Sequence, residues 1–446
     1  MIDLSAYLAA FSFLPEGIRE AEVNAERDER TSLRVEGGFL TDGQAEAVTR
    51  LYVRAAGERT GTAYTERLDE APREAILRAA ENARCAPGAV REPMNGANRI
   101  SLPAPCPPDS IDEALTFCRK AERSALSLPN VLRVLDCSAA LCSREARTVN
   151  SHGLDAAYTV NWTELTLSVL MKRQGAPAPG AAFFSRRNLS ELDSAALARA
   201  AVQDGEEYDG GGLPSVTLKS GRYDAVLSGR VMRNILMTAW MELSGRAMRS
   251  GGSVFSPDAG TRIGSPALNV LSAPSHPRWG RAWPLDSEGT VVSSVRLVEE
   301  GTLRTPLHTL STGRSTGSAG RVDRMTGSPP IHLTTVPALL YVEPGEETQA
   351  QLIGRMGTGL LLTYSLDLFH SVNIASGAFS IPCGGVWYEN GRPVGSVSQA
   401  TVAGNVKDLL QNIEAVGFDL DFDDFYLRSY TIGSPSALVR GLGFAF

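Results

Sequence analysis

The stretch GRMGTGLLLTYSLDLFHSVNIASGAFSIPCGGVWYENGRPVGSVSQATVAGNVKDLLQNIEAVGFD, Gly354 to Asp419, decides how the chain is read. Its apolar run from Gly359 to Tyr364 predicts a buried strand, and Phe379 to Ile381 a second, shorter one. Val386 to Glu389 then meets Asn390-Gly391, and Pro393 to Val397 follows. An Asn-Gly pair tolerates the positive φ angles of a two-residue turn, so a hairpin is predicted there. Beyond it Val406, Leu409, Leu410, Ile413 and Val416 recur with the spacing of one helical face. That predicts an amphipathic helix over 406–416, with Gly417 placed to cap its C-terminus.

Outward from this stretch, the whole chain of 446 residues is too long for one ordinary core, and two or three units are expected. Hydrophobic residues make up 43% and charged residues 21%, the balance of a soluble globular protein. A net charge of −7 supplies no attraction to a phosphate backbone, so no nucleic-acid partner is expected. No apolar run is long enough for a bilayer-spanning helix, so no membrane partner is expected either. Met1-Ile-Asp-Leu-Ser carries an acid where a secretory signal needs positive charge. The cytoplasm is the expected compartment. The cysteines (Cys85, Cys106, Cys118, Cys137, Cys142 and Cys383) form no C-x-x-C pair and are expected to be reduced.

Along the chain, Ser5 to Phe13 predicts a short helix, Thr31 to Glu36 a strand ended by Gly37-Gly38, and Ala47 to Ala55 another strand. A hairpin loop over 57–61 leads to a return strand from Ala63, and Ala75, Ile76, Ala79, Ala80 and Ala83 share one helical face. Leu102 to Pro108 is Pro-rich and reads as a linker or exposed loop. Ser110 is placed to cap a helix over 111–125. Strands over 132–139, 146–149, 156–162 and 165–172 follow, then a loop over 175–180 and a helix over 190–202. Three consecutive glycines in Asp209-Gly-Gly-Gly-Leu-Pro214 hold no element together and mark the clearest boundary. The chain therefore divides into an N-terminal domain, 1–214, with subparts 1–100 and 109–208, and a C-terminal domain, 215–446. The second domain opens with a strand from Gly221 and a helix over 229–248, and is loop-rich from there to Gly354. The expected fold is α+β, an N-terminal α/β two-part domain followed by a larger strand-rich one.

Several short motifs resemble one known family. They are Gly377-Ala-Phe-Ser, Glu389-Asn-Gly, Val402-Ala-Gly-Asn405 with Leu409-Leu410, and Val416-Gly-Phe-Asp419. Further upstream stand Tyr52-Val-Arg-Ala-Ala-Gly-Glu-Arg-Thr-Gly, Asn150-Ser-His-Gly153, Asp286-Ser-Glu-Gly-Thr, Val298-Glu-Glu-Gly-Thr-Leu and Ser315-Thr-Gly-Ser-Ala-Gly-Arg321. In this order they resemble the TldD/PmbA proteins, the so-called modulators of DNA gyrase. The resemblance implies a C-terminal domain of that type and kinship with zinc peptidases. Active members carry His-Glu-x-x-x-His on the helix before the Gly-Ser-Val-Phe segment, where two imidazoles hold the metal and the glutamate polarises water.

Counting back from Ser253-Val-Phe255 and Gly245, the motif positions fall on Leu236, Met237 and Met241. Leucine supplies no ligand to zinc, and a thioether prefers softer ions. No histidine occurs between His152 and His276, so a shifted register does not restore the motif, and no cysteine follows Tyr430, where active members carry one. The simplest reading of Leu236 to Met241 is a buried core helix; a methionine-based copper site is the alternative. The chain thus looks like the TldE/PmbA branch of the family, which lacks the zinc motif.

Other patterns offer weaker chemistry. Gly313-Arg-Ser-Thr-Gly317 matches a nucleophile elbow, with His332 or His370 as nominal bases, but loop composition follows it where a helix is required. Asp419, Asp421, Asp423 and Asp424 resemble half of a calcium loop without its central glycine and distal glutamate, and read as a solvated acidic turn. The five histidines are isolated and read as hydrogen-bonded structural residues.

By resemblance, this is a subunit with no catalytic residue, metal or cofactor of its own. Zinc is expected in a TldD-type partner, with which it forms a heterodimer that degrades or processes unfolded peptides; a homodimer is also open. An extended peptide adding to a sheet edge is the recognition mode implied. Ser315, Thr316, Gly317, Arg321, Asn373, Gly377, Phe379 and Ser380 are the expected peptide-cleft residues, since their Gly/Ser-rich segments permit close backbone approach. A self-sufficient hydrolase with an unrecognised site and a homodimeric peptide-binding or scaffold protein are the alternatives.

Overall fold

Strict alternation governs the N-terminal half. Ala21, Val23 and Ala25 interleave with Glu22, Asn24, Glu26, Asp28 and Arg30, the two-residue period of a strand whose faces differ. The computed structural model describes residues 2–446 apart from 68, 86–90, 103–104, 174–176, 208–209, 211, 257, 322–331, 367–370 and 424–429. Parts of the expected loop at 175–180 and of the glycine-rich boundary, together with His370 and Asp424, therefore lie outside the described residues. After a short helix α1 (Ser5–Ala10), β1 (Glu20–Glu36) pairs antiparallel with β2 (Phe39–Ala56) across the Gly37-Gly38 turn. There follow β3 (Thr60–Thr65), α2 (Pro72–Cys85), β4 (Asn98–Ser101), α3 (Ile111–Leu126), β5 (Val131–Asn150), β6 (Leu154–Met171), β7 (Ala178–Arg186) and α4 (Ser194–Glu207). The sheet runs β3-β2-β1-β5-β6-β4, and β7 occupies the rest of the β6 edge that β4 begins.

Helices cover one face of this sheet only. Val23, Leu51, Val53 and Ala55 pack beneath α1 and α2, and Leu165, Leu167 and Val169 beneath α3 and α4. Burying each such aliphatic side chain is worth roughly 1.5–3 kcal/mol. α3 starts where the sequence places its cap: Ser110 Oγ accepts from Glu113 N–H at 3.2 Å, and Glu113 accepts from Ser110 N–H at 2.7 Å. The four strands expected between 132 and 172 are two long ones. Ser143 to Glu145 and Thr163-Glu164, which looked like interruptions, sit inside paired ladders. Likewise β7 begins inside the expected loop at 175–180.

The C-terminal half opens with β8 (Gly221–Leu227) and α5 (Gly229–Ala239). The single helix expected over 229–248 is interrupted. A 3₁₀ turn (Trp240–Leu243) follows α5, and Ser244, in extended backbone, caps a second helix α6 (Gly245–Arg249). The loop-rich part carries β9 (Val270–Ala273), β10 (Val295–Glu299), β11 (Thr302–Leu303), β12 (Ala319–Gly320), β13 (Thr334–Thr335) and β14 (Leu339–Val342). After α7 (Gln349–Met356) come β15 (Gly359–Ser365), β16 (Val372–Asn373), β17 (Ala378–Glu389), β18 (Arg392–Asn405), α8 (Val406–Gln411), β19 (Ile413–Val416), β20 (Asp421–Asp423), β21 (Thr431–Ser434) and β22 (Ala437–Ala445).

Two sheets result. One runs β11-β10-β9-β14-β21-β20, and the other β15-β8-β22-β18-β17-β16 with an added β15–β17 pairing. That pairing closes β8, β22, β18, β17 and β15 into a ring, which leaves those five no free edge. The hairpin at Asn390-Gly391 is as read, with φ of +51° and +74°. The helix expected over 406–416 is not. α8 ends at Gln411, Asn412 caps it, and Ile413 to Val416 pair with Val439 to Ala437 as β19. Leu409, Ile413 and Val416 fit a helical spacing as well as a helix followed by a strand, and the open side of β22 decides between them. Gly417 accordingly follows a strand and caps no helix. The fold is α+β, with the larger strand-rich domain second.

Candidate functional site

Two places concentrate the chemistry of this chain. The first is the end of α5. Ser228 Oγ accepts from Val231 N–H and starts a helix that buries Val231, Met232, Ile235, Leu236 and Met237. Leu236 is 7% exposed and Met237 2%, both in the C-terminal core, while Met241 on the 3₁₀ turn is 41% exposed. β21 packs beside them: the Tyr430 hydroxyl donates to the Met237 carbonyl at 3.1 Å, and its ring stands edge-on to Trp240. The fold therefore assembles the helix and the segment after Tyr430 side by side, as a metal site drawn from both would require. The residues these segments carry there are Leu236, Met237, Met241, Thr431 and Ile432, with no imidazole, carboxylate or thiolate among them. They do not fit a zinc ion. Among the described residues no group of three or more His, Cys, Asp or Glu is placed to hold a metal ion.

The acid next in the chain, Glu242, is buried and turned to a structural task. Its Oε2 accepts from Val254 N–H at 2.9 Å, Oε1 has no partner among the described residues, and burial raises its carboxyl above the usual range. His308 lies so close to Gly245 that a Cβ there would come within 2.5 Å of its Nδ1. That nitrogen meets Thr312 Oγ1 at 3.2 Å, and burial lowers the ring's basicity. Of the acidic residues after Gly417, the described ones (Asp419, Asp421 and Asp423) each have a protein partner. Arg233 of α5 pairs with Asp421 and, at 2.9 Å, with Asp423, and Asp419 accepts from Ser436 N–H at 3.0 Å. Asp421 and Asp423 share Arg233, and Asp421 keeps about half of its side chain exposed (48%).

The second place is the uncovered face of the N-terminal sheet. Because side chains alternate, Glu22, Asn24, Glu26, Asp28 and Arg30 of β1 share this face with Arg50, Tyr52 and Arg54 of β2 and Arg144 and Thr148 of β5. Segments from the C-terminal domain around Arg281 to Val292, Gly317 to Arg321 and Val336 to Ala338 close over it and leave a cavity of about 340 Å³. Most charges there are mutually satisfied. Asp28 accepts from Arg144 at 2.6 and 2.9 Å and from Arg50 at 2.9 Å; burial works against its ionisation, but these guanidiniums hold it down to about 2. Arg30 meets Glu164 at 2.5 Å, and Arg281 stacks over Trp162 and Trp283. On the covering side, Asp286 accepts from the N–H groups of Glu288, Thr290 and Ala319, which pin the loop that forms the roof.

The expected cleft residues divide between these places. Gly317 and Arg321 line the cavity, while Ser315 accepts from Gly317 N–H and Thr316 Oγ1 accepts from His308 N–H. Asn373, Gly377, Phe379 and Ser380 do not line it. Asn373 and Ser380 are exposed, Phe379 is buried in the C-terminal core, and Gly377 (φ +67°) lies against Val254 and Asn405. Gly313 to Gly317 is followed by no helix among the described residues, and Ala319-Gly320 is a short strand. The other described histidines have structural neighbours: His152 meets Glu20 at 2.7 Å, His332 meets Thr62 at 3.4 Å, and His276 accepts from Arg278 N–H at 3.1 Å.

Three consecutive regions match one set of family models: residues 21–84 match PmbA/TldA metallopeptidase domain 1, 104–204 the central domain, and 220–445 the C-terminal domain. This chain belongs to the TldD/PmbA family. Among TldD/PmbA relatives, a metalloprotease PmbA homolog of Haemophilus influenzae is 26% identical over 70% of this chain and 66% of its own length. Metalloprotease PmbA of Escherichia coli O157:H7 is 24% identical over the same shares, 70% and 66%. The crystal structure of TldE from Thermococcus kodakarensis superposes with a TM-score of 0.80 at 20% identity, covering 99% of this chain and all of that one (100%). A structure described as a modulator of a DNA gyrase, from Thermotoga maritima, gives 0.80 at 23% identity over 99% and 98% of the two chains. At these identities the structures speak for the fold.

Proposed function

We propose that this chain is the metal-free, non-catalytic subunit, of the TldE/PmbA kind, in a complex with a TldD-type metallopeptidase subunit that degrades or processes unfolded peptides. One observation carries the reading. The chain has the fold of this family, and at the positions that the resemblance assigns to an imidazole, a carboxylate and an imidazole it carries Leu236, Met237 and Met241. Two of the three are sealed in the core, so they contribute packing there and offer a metal nothing. Zinc, and with it hydrolysis, belongs to the partner; this chain supplies part of the enclosure, through the Ser315–Arg321 and Asn373–Ser380 segments. The cytoplasm is the compartment that goes with this role.

The test is metal analysis of the purified chain together with a peptidase assay on an unfolded peptide, alone and with a TldD-type subunit. Cleavage only with the partner, and no zinc bound to this chain, is the expected result. Stoichiometric zinc on this polypeptide, or hydrolysis by it unaided, would overturn the reading. Absence of cleavage in both arrangements would favour a peptide-binding or scaffold role instead.

A further inference from the structure

The cavity beneath the charged sheet face holds groups left without a partner among the described residues. Arg321 is buried with its guanidinium on the Tyr52 ring, 3.9 Å from the centroid, and gives Nη1 to Asn24 Oδ1 at 2.7 Å. Its Nε has no acceptor among the described residues. Burial pulls its basicity down, since the surrounding carboxylates compensate the cation incompletely. Glu26 reaches no closer than 3.9 Å to Arg321, beyond hydrogen-bond distance. The hydroxyls of Tyr52 and Tyr158, both on the cavity wall, have no hydrogen-bond partner among the described residues, and burial pushes both up. A cation short of an acceptor therefore lies next to a carboxylate short of a donor, with two phenols at hand.

We propose that this cavity binds a small zwitterion, a free α-amino acid or a dipeptide, with its carboxylate on Arg321 and its ammonium on Glu26. An α-amino acid carries its ammonium and its carboxylate on one carbon, close enough together to meet two side chains 3.9 Å apart. A guanidinium edge takes a carboxylate with short, charge-assisted hydrogen bonds. Withdrawal from water strengthens both contacts. The volume, about 340 Å³, is at the lower end of that of small-molecule sites, so the ligand is one or two residues long. Because the wall comes from both domains, occupancy ties the N-terminal sheet to the loops at 281–292 and 317–321. The inference uses no residue of the α5 site. Zinc in the purified chain would overturn the proposed function and leave this proposal standing.

The experiment is isothermal titration of the full chain with L-alanine, L-alanyl-L-alanine, and the dipeptide in N-acetylated and C-amidated forms. Saturable binding of a free zwitterion is expected, with each blocked form weaker by about tenfold or more, the scale of one charge-assisted contact. Glu26→Gln, an isosteric change, should weaken the free dipeptide by a similar factor and leave the N-acetylated form unchanged. Arg321→Lys should weaken the free dipeptide but not the C-amidated form. No saturable binding up to millimolar concentrations, or equal binding of free and blocked forms, would overturn the proposal. So would wild-type affinity in a folded Glu26→Gln protein.

Discussion

Arg54 stands directly opposite Glu22 in the β1–β2 ladder and donates both Nε and Nη2 to Glu22 Oε1, at 2.9 and 2.6 Å. Each side chain is 1% exposed. Such a pair adds little against a well-packed apolar replacement, but removing one member strands a charge in the interior. Arg54→Met is therefore expected to cost about 3–5 kcal/mol in urea unfolding. Replacing both residues by Met should recover much of that loss. Equal destabilisation by the single and double changes would refute the account.

Glu288 faces the same boundary from the C-terminal domain, accepting from Leu310 N–H at 3.0 Å. Burial, reinforced by the neighbouring Asp286 carboxyl, pushes it up to about 8. A folded-state value above the ordinary 4.5 means the folded protein holds this proton more tightly than the unfolded chain. The resulting stabilisation is full below 4.5 and is lost as pH rises through about 8. The thermal midpoint should fall over that interval, and Glu288→Gln should flatten the fall. A slope identical in the two proteins would show that Glu288 does not carry it.

Leu236 packs in the C-terminal core. Leu236→Ala should cost about 2–5 kcal/mol through the cavity it leaves, with zinc content unchanged by mass spectrometry of the metal. Loss of a bound metal with that substitution would contradict the packing role.

At the start of α3, Ser110 and Glu113 exchange hydrogen bonds that satisfy two backbone N–H groups. Ser110→Ala should lower stability by about 1 kcal/mol, measured by chemical denaturation, and Ser110→Asp should retain most of it.

What the sequence revealed follows the range of the forces involved. The Asn390-Gly391 turn, the Ser110 cap and the alanine face of α2 depend on neighbours a few residues away, and all were readable. The break after α5 was readable too, because Ser244 is a good N-cap, but the apolar periodicity of Leu236 to Met248 hid it. The motif positions at 236, 237 and 241 came from resemblance, and no periodicity would have marked them. A strand read from Thr31 onward leaves out the charged face, which lies on β1 from Glu20. Its signal is present, in the alternation of Glu22, Asn24, Glu26 and Asp28 with Ala21, Val23 and Ala25. That this face is covered lies beyond local reading, since its cover arrives from residues 281–338.

The closed ring of strands also imposes a timetable on biosynthesis. β22 lies between β8 and β18, hydrogen-bonded to both. The N-terminal sheet has all of its strands once Arg186 has left the ribosome, whereas the ring lacks one until Ala437 to Ala445 emerge. Until then β8 and β18 each present an open edge, so a nascent chain carries one finished sheet and one in need of a chaperone's protection.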